Sequence, residues 1–394
     1  MRRMMAVLLM FALCAAMPFC FAETEIPEFT LKTDFEIPDT EAMAFVKNMG
    51  VGWNLGNTFD ASDCNWITRE LEYERAWNGA MTTEADIIAL KEAGFNTIRI
   101  PISWHNHVSG DDFVISEPWL NRVQEVVDWA IGQGMYVIIN THHDMDKNYC
   151  YPDSEHYELS ERYIVSIWSQ VAERFKDYDE HLIFESMNEP RLKDTGFEWN
   201  FSKIQPDCKD AADCINRLNQ AFVNTVRASG GNNANRYLMV PGYAAAPANV
   251  MNELFVIPED TADHKIIISV HAYTPYDFAL AAGGKTTFTP ANTSQTGEIG
   301  SFMNQLYSRY VKYGTPVVIG EYGARDKGNL QDRVNFAAYY AASAHVRGMA
   351  CCWWDNGAMS GSGEVFGLLK RLTAQWVYPE IVDAIMYGAH YGDQ

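Results

Sequence analysis

The sequence predicts an α/β fold built as a single closed (β/α)8 TIM barrel. Eight short apolar runs recur along the chain, with helix-period patterns between most of them. The runs are nearly continuous rather than alternating, as parallel strands covered on both faces must be. No G-x-G-x-x-G follows the first run and no P-loop occurs, which removes support from the nucleotide-binding open sheets.

In chain order, residues 1–22 read as a secretory signal peptide: Arg2 and Arg3, then an apolar stretch from Ala6 to Phe21, then a small-residue site ending in Ala22. Pro18 interrupts the stretch and no stop-transfer pattern follows, so no membrane anchor is expected. Residues 23–45 are a lead-in segment, acidic and proline-containing, with Thr40 capping a short helix to about Asn48; the catalytic domain is expected over 46–394. The strand-like runs follow at 51–55, 97–100, 136–140, 182–184, 237–240, 266–270, 317–319 and 349–353. Helical patterns occupy 83–93, 117–133, 160–175, 212–228, 300–313, 330–345 and 376–386. The clearest is 117–133, where Ser116 is the N-cap, Pro118 sits in the first turn, and Trp119, Leu120, Val123, Val126, Val127, Ala130 and Ile131 share one face. The gap after the fifth run has only a short helical candidate within 244–259.

Charge and cysteine usage fit export. Loss of the first 22 of 394 residues would leave 372, with 28 basic against 51 acidic side chains. That balance opposes nucleic acid and anionic membranes and suits a neutral partner such as a glycan. Cys208 and Cys214 are expected to form a local staple, and Cys64 and Cys150 could pair in an oxidising compartment. Cys351 and Cys352, adjacent in an apolar run, point to opposite faces and are expected to be free buried thiols.

Polar and aromatic residues collect just after the runs. They read Gly52-Trp53-Asn54-Leu55-Gly56-Asn57, then Arg99 to His105, Asn140-Thr141-His142-His143-Asp144, Glu185-Ser186-Met187-Asn188-Glu189-Pro190, His271-Ala272-Tyr273, Gly320-Glu321-Tyr322-Gly323 and Trp353-Trp354-Asp355-Asn356. In a parallel barrel every strand C-terminus opens on one face, where active sites lie, so these positions converge. Glu189 and Glu321 stand out. Cutting an acetal needs a proton for the leaving oxygen and a negative group beside the oxocarbenium-like carbon, and two facing carboxyls supply both. Arg99, a strand cation with no obvious partner in sequence, would hold Glu321 charged and oriented if it lay beside it. His142-His143-Asp144 invites a metal, but adjacent histidines on a strand point apart and no second cluster supports it. No metal and no cofactor is expected.

Together the segments G-W-N-L-G-N-T-F-D-A, I-R-I-P-I-S-W-H-N-H, V-I-I-N-T-H-H-D, N-E-P, G-E-Y-G and W-W-D-N-G-A resemble glycoside hydrolase family 5, subfamily 4, across nearly the whole mature chain. The resemblance implies an endo-β-1,4-glucanase, with lichenase and xyloglucanase activities among its relatives. It implies Glu189 as general acid/base and Glu321 as nucleophile. Asn188 would hold the sugar 2-hydroxyl, Tyr273 and Arg99 would orient Glu321, and His271 would sit beside the acid/base. His142 and His143 would contact the sugar at the cleavage point, Trp354 would floor the −1 subsite with a cis bond to Asp355, and Asn57 would reach the next glucose. The loops at 64–78 and 361–364 depart from the commoner form, which leaves glucan preference open. The expected partner is a β-glucan polysaccharide. No scaffold-docking calcium repeat is seen, a monomer is expected, and the expected location is extracellular, with the periplasm as the alternative.

Overall fold

The computed structural model describes residues 25–393; the expected signal peptide at 1–22 lies outside the described residues. Eight parallel strands close into a barrel: β1 (Val51–Leu55), β2 (Thr97–Ile100), β3 (Tyr136–Asn140), β4 (Leu182–Glu185), β5 (Leu238–Pro241), β6 (Ile266–His271), β7 (Val317–Tyr322) and β8 (Ala350–Asp355). They neighbour one another in chain order and β8 pairs with β1, so the sheet has no edge. Strands β4, β6, β7 and β8 run one to three residues past the apolar runs that predict them, because the polar residues at their C-terminal ends still pair. His271 lies opposite Glu321, and Asp355 lies opposite Leu55.

The helices are α1 (Glu41–Met49), α2 (Glu84–Glu92), α3 (Glu117–Gly132), α4 (Tyr157–Arg174), α5 (Pro206–Ala228), the single turns α6 (Pro247–Val250) and α7 (Tyr276–Ala279), α8 (Thr293–Arg309), α9 (Leu330–His345) and α10 (Pro379–Ala389). α5 starts six residues before its expected position, at Pro206 in its first turn. α8 also starts early, because the Asn292 side chain accepts from the Ser294 and Gln295 amides; it ends at Arg309, before a separate 3₁₀ turn, Val311–Tyr313.

α1 closes the barrel's N-terminal end. Ala42, Phe45, Val46 and Met49 pack on Ile138, Ile183, Met239, Ile267, Val318, Ala350 and Cys352, the inward side chains of six strands. Phe45 stacks on Tyr237 at 3.7 Å between ring centroids. The helix runs through the expected boundary at residue 45, so the end of the lead-in belongs physically to the barrel. Upstream, Phe29 packs on Tyr339, Tyr387 and Tyr391 of α9, α10 and the C-terminal turn.

The expected disulfides do not form. Cys64, Cys150, Cys208 and Cys214 are buried free thiols, as are Cys351 and Cys352. Cys208 and Cys214 both lie on α5. Six helical positions separate them by about 9 Å along the axis, beyond the ~7 Å Cα limit for a bridge. Cys64 instead turns its thiol to the Ser62 carbonyl at 3.3 Å. Cys351 faces the main core outside the barrel and Cys352 faces the barrel interior, as alternation along β8 requires.

Candidate active site

Above the apolar plug the barrel interior turns polar, and its centre is Arg99. The side chain is fully buried. Its Nε donates to Glu185 Oε2 at 2.7 Å, Nη1 to Asn54 Oδ1 at 2.9 Å and to Glu321 Oε1 at 2.8 Å, and Nη2 to Asn188 Oδ1 at 2.7 Å. Burial works against the guanidinium charge, but Glu185 and Glu321 outweigh it and raise its proton affinity above the ordinary arginine value. Glu185 is therefore the partner missing from the sequence reading. The signal was available: an acidic residue ending an otherwise apolar run, four positions before Glu189. It is tied further by Ser269 Oγ at 2.5 Å and Asn140 Nδ2 at 3.1 Å.

The strand register aims the second carboxylate. β7 carries one more residue than either neighbour between Ile319 and the next paired position, opposite both β6 and β8. Such a bulge twists the strand and redirects a side chain. The bulge is at Gly320, whose carbonyl accepts from Asn54 Nδ2 at 2.9 Å. A Cβ there would stand 3.1 Å from His271 Nε2. Beyond the bulge, Glu321 accepts from Arg99 on one oxygen and from Tyr273 OH on the other at 2.9 Å.

Glu189 lies across from it. His271 Nδ1 is 2.8 Å from Glu189 Oε1 and 3.6 Å from Glu321 Oε2. One oxygen of each carboxylate and one His271 nitrogen all lie within 4.8 Å of one another. Burial pulls the imidazole towards neutrality, but the Glu321 charge and the hydrogen bond to Glu189 raise its proton affinity above the ordinary value. For Glu189, burial raises the value and the His271 hydrogen bond and charge outweigh it, leaving it lowered. The pair thus competes for one proton.

Trp354, almost fully buried, lies parallel to the His142 ring, with centroids 5.9 Å apart and planes 2° apart. Trp353 points the other way into the core, where Nε1 donates to the Phe366 carbonyl at 3.2 Å. The Trp354–Asp355 bond is trans; among the described residues the cis bond is Thr274–Pro275. Asp355 remains in register with Leu55 and its carbonyl accepts from the Gly56 amide at 3.0 Å, which keeps the strand extended through this bond.

His142 and His143 do not point apart. β3 ends at Asn140, so strand alternation no longer applies, and the two rings meet edge to face at 4.5 Å. With Asp60 they bring three ligand-type atoms within 4.8 Å. Both Asp60 oxygens already accept backbone amides, from Asn57 at 3.0 Å and Thr58 at 2.6 Å. Asn140 Oδ1 accepts from the Ile102 amide, so its Nδ2 faces His142 Nδ1 as a donor at 3.2 Å. That leaves the His142 proton on Nε2, as a donor rather than a metal ligand. Burial, with His143 and Arg99 nearby, holds His142 neutral. Asn57 adopts φ 56° at the end of β1, where its carbonyl accepts from Asn78 Nδ2 at 2.8 Å.

A buried arginine clamping one carboxylate, a second carboxylate paired with histidine, and an indole beside them at a barrel mouth define a glycoside hydrolase centre. The comparisons agree. The family model of cellulase (glycosyl hydrolase family 5) matches residues 57–360, and the chain belongs to that family. It is similar to a GH5 family lichenase from Caldicellulosiruptor sp. F32, with TM-score 0.92 and 55% identity over 93% of this chain and 100% of that one. It is also similar to a GH5-4 broad specificity endoglucanase from Ruminococcus champanellensis with bound cellotriose, with TM-score 0.82 and 42% identity over 89% of this chain and 99% of that one. Among curated proteins, cellulase/esterase CelE of Acetivibrio thermocellus is 43% identical over 89% of this chain; the chain spans 41% of that protein's length.

Proposed function

We propose that the protein is a secreted, retaining endo-β-1,4-glucanase acting on cellulose-type, mixed-linkage or xyloglucan chains. The observation that carries the reading is the proximity of Glu189 and Glu321 oxygens, within 4.8 Å. A nucleophile must reach the anomeric carbon while the acid reaches the oxygen beside it. Retaining enzymes hold the two carboxyls about 5–5.5 Å apart, and inverting ones about 6.5–9.5 Å apart to fit a water.

In the first step Glu321 attacks the anomeric carbon, the C1–O bond breaks, and Glu189 gives its proton to the departing oxygen. His271 Nδ1–H stays on Glu189 Oε1, so the acidic proton is carried by Oε2. In the second step Glu189 takes a proton from water, whose oxygen attacks C1 and releases Glu321. Arg99 and Tyr273 hold Glu321 in line for both steps. Asn188, itself fixed by Arg99, turns its amide N–H₂ to the 2-hydroxyl; Trp354 stacks under the −1 sugar, His142 and His143 bind its rim, and Asn57 reaches the next glucose. Export is supported by the leader-like sequence, and no described helix is long and apolar enough to cross a membrane.

The test is reducing-sugar release from carboxymethylcellulose, barley β-glucan, xyloglucan and glucomannan, with NMR of the first-formed anomer. Rapid fall in viscosity on a β-glucan with β-anomer first is expected. An α-anomer first, activity on glucomannan alone, or binding without cleavage would each reject the reading.

A further inference from the structure

Arg99 is shared between two carboxylates with different fates. Among the described residues its ion pairs are with Glu185, 2.7 Å from Nε, and with Glu321, 2.8 Å from Nη1. The side chains of Arg99 and Glu185 are wholly buried, whereas Glu321 keeps a small exposed edge. Glu185 ends β4, in register with Asn140. Its Oε2 accepts from Arg99 Nε and from Asn140 Nδ2, and its Oε1 from Ser269 Oγ. Donors from β2, β3 and β6 thus converge on a carboxylate that no substrate can touch. Burial disfavours the Arg99 charge, and Glu185 opposes that more strongly than Glu321 does.

The reaction removes one of these two partners. As a Glu321 oxygen bonds to C1, the C1–O bond breaks and the Glu189 proton leaves with the departing oxygen. Glu321 is then a neutral ester, while the guanidinium stays buried and charged. Glu189 is left negative, but it faces His271 rather than Arg99 and must next take a proton from water. A buried charge that loses its partner is strongly destabilising. The same guanidinium also holds Asn54 and Asn188. We propose that Glu185 is a positioning residue for the nucleophile: the counterion that does not react, keeping Arg99 charged and aimed while Glu321 gives up its own charge to the glycosyl ester. This role rests on the glucanase reading above. It makes Glu185 specific to one step, because the state it stabilises is the covalent intermediate relative to the free enzyme.

The experiment separates the two steps with 2,4-dinitrophenyl 2-deoxy-2-fluoro-β-cellobioside. Release of dinitrophenolate reads formation of the glycosyl-enzyme, and recovery of activity after removal of the reagent reads its hydrolysis. Glu185→Gln keeps the shape and removes the charge. Trapping should slow by about tenfold or more, the scale on which an opposite charge favours a buried ion. Recovery should be no slower than in the parent, since hydrolysis restores the Glu321 charge to Arg99. Glu185→Asp, which keeps the charge, should bring trapping back towards the parent rate. Equal slowing of both steps, trapping at the parent rate in Glu185→Gln, or an Asp variant no faster than Gln overturns the role. Infrared spectra of the free and trapped enzyme give a reading that does not depend on the Gln variant folding. Glu185 should be ionised in both, and a carboxylic-acid band that Glu185→Asp shifts in the trapped enzyme also overturns it. A parent enzyme that the reagent does not label at Glu321, by mass spectrometry of its peptides, instead rejects the glucanase reading itself.

Discussion

His271 makes the proton inventory of the site readable. It is pushed above the ordinary imidazole value of about 6.5 while Glu189 is pushed down. The pair therefore keeps its shared proton below the raised imidazole value and loses it as pH rises through that value. The basic limb of kcat/KM on barley β-glucan should accordingly lie above about pH 6.5. His271→Gln keeps a donor near Glu189 but cannot hold the proton, so the limb should move acidward; a stationary limb would assign it to another group. The adjacent tryptophans give a second test at this scale. Trp354→Ala should lower kcat/KM on long and short cello-oligosaccharides alike, with a smaller loss of Tm than the core substitution Trp353→Ala. Trp353→Ala empties a fully buried site and should cost about 3–5 kcal/mol of stability while the folded fraction stays active. The opposite pattern in melting and rate measurements would exchange their roles.

At the scale of elements, the seam between β1 and β8 is where packing and chemistry meet. A Cβ on Gly56 would stand 2.7 Å from Trp354 Cη2 and 3.0 Å from the Asp355 carbonyl. Arg371 closes the same seam, donating to the Gly56 carbonyl at 2.7 Å and the Asp355 carbonyl at 2.6 Å. The indole therefore has no room to retreat. Gly56→Ala should tilt Trp354 out of its plane with His142 and lower kcat/KM by about tenfold or more, since an ångström of misplacement is costly. It should also lose about 1–3 kcal/mol through overpacking. Rate and urea denaturation measured together check both; a normal rate with normal stability would show the seam to be loose. The elements that sequence pattern misjudged failed for local reasons. α5 and α8 begin early because Pro206 and Asn292 start helices in stretches too polar to show an apolar face.

Across the whole molecule, the sequence by itself determined the barrel. Runs such as 136–140 and 182–184 are apolar without alternation, and only a sheet covered on both faces accepts that. It also determined which residues gather at the mouth, because a parallel barrel sends every strand end to one face; Glu189, Glu321, Arg99 and Trp354 were legible on that ground. What the tertiary structure alone decided is how they face one another. Glu185 as the partner of Arg99, the bulge at Gly320 that aims Glu321 and the turn that brings His142 and His143 together all join residues distant in the chain or past a strand's end. Periodicity describes one strand at a time and carries no information about the register between strands, the tautomer a neighbour imposes, or the angle at which a loop returns. Those are settled by long-range hydrogen bonds and close packing, which exist only once the barrel has closed.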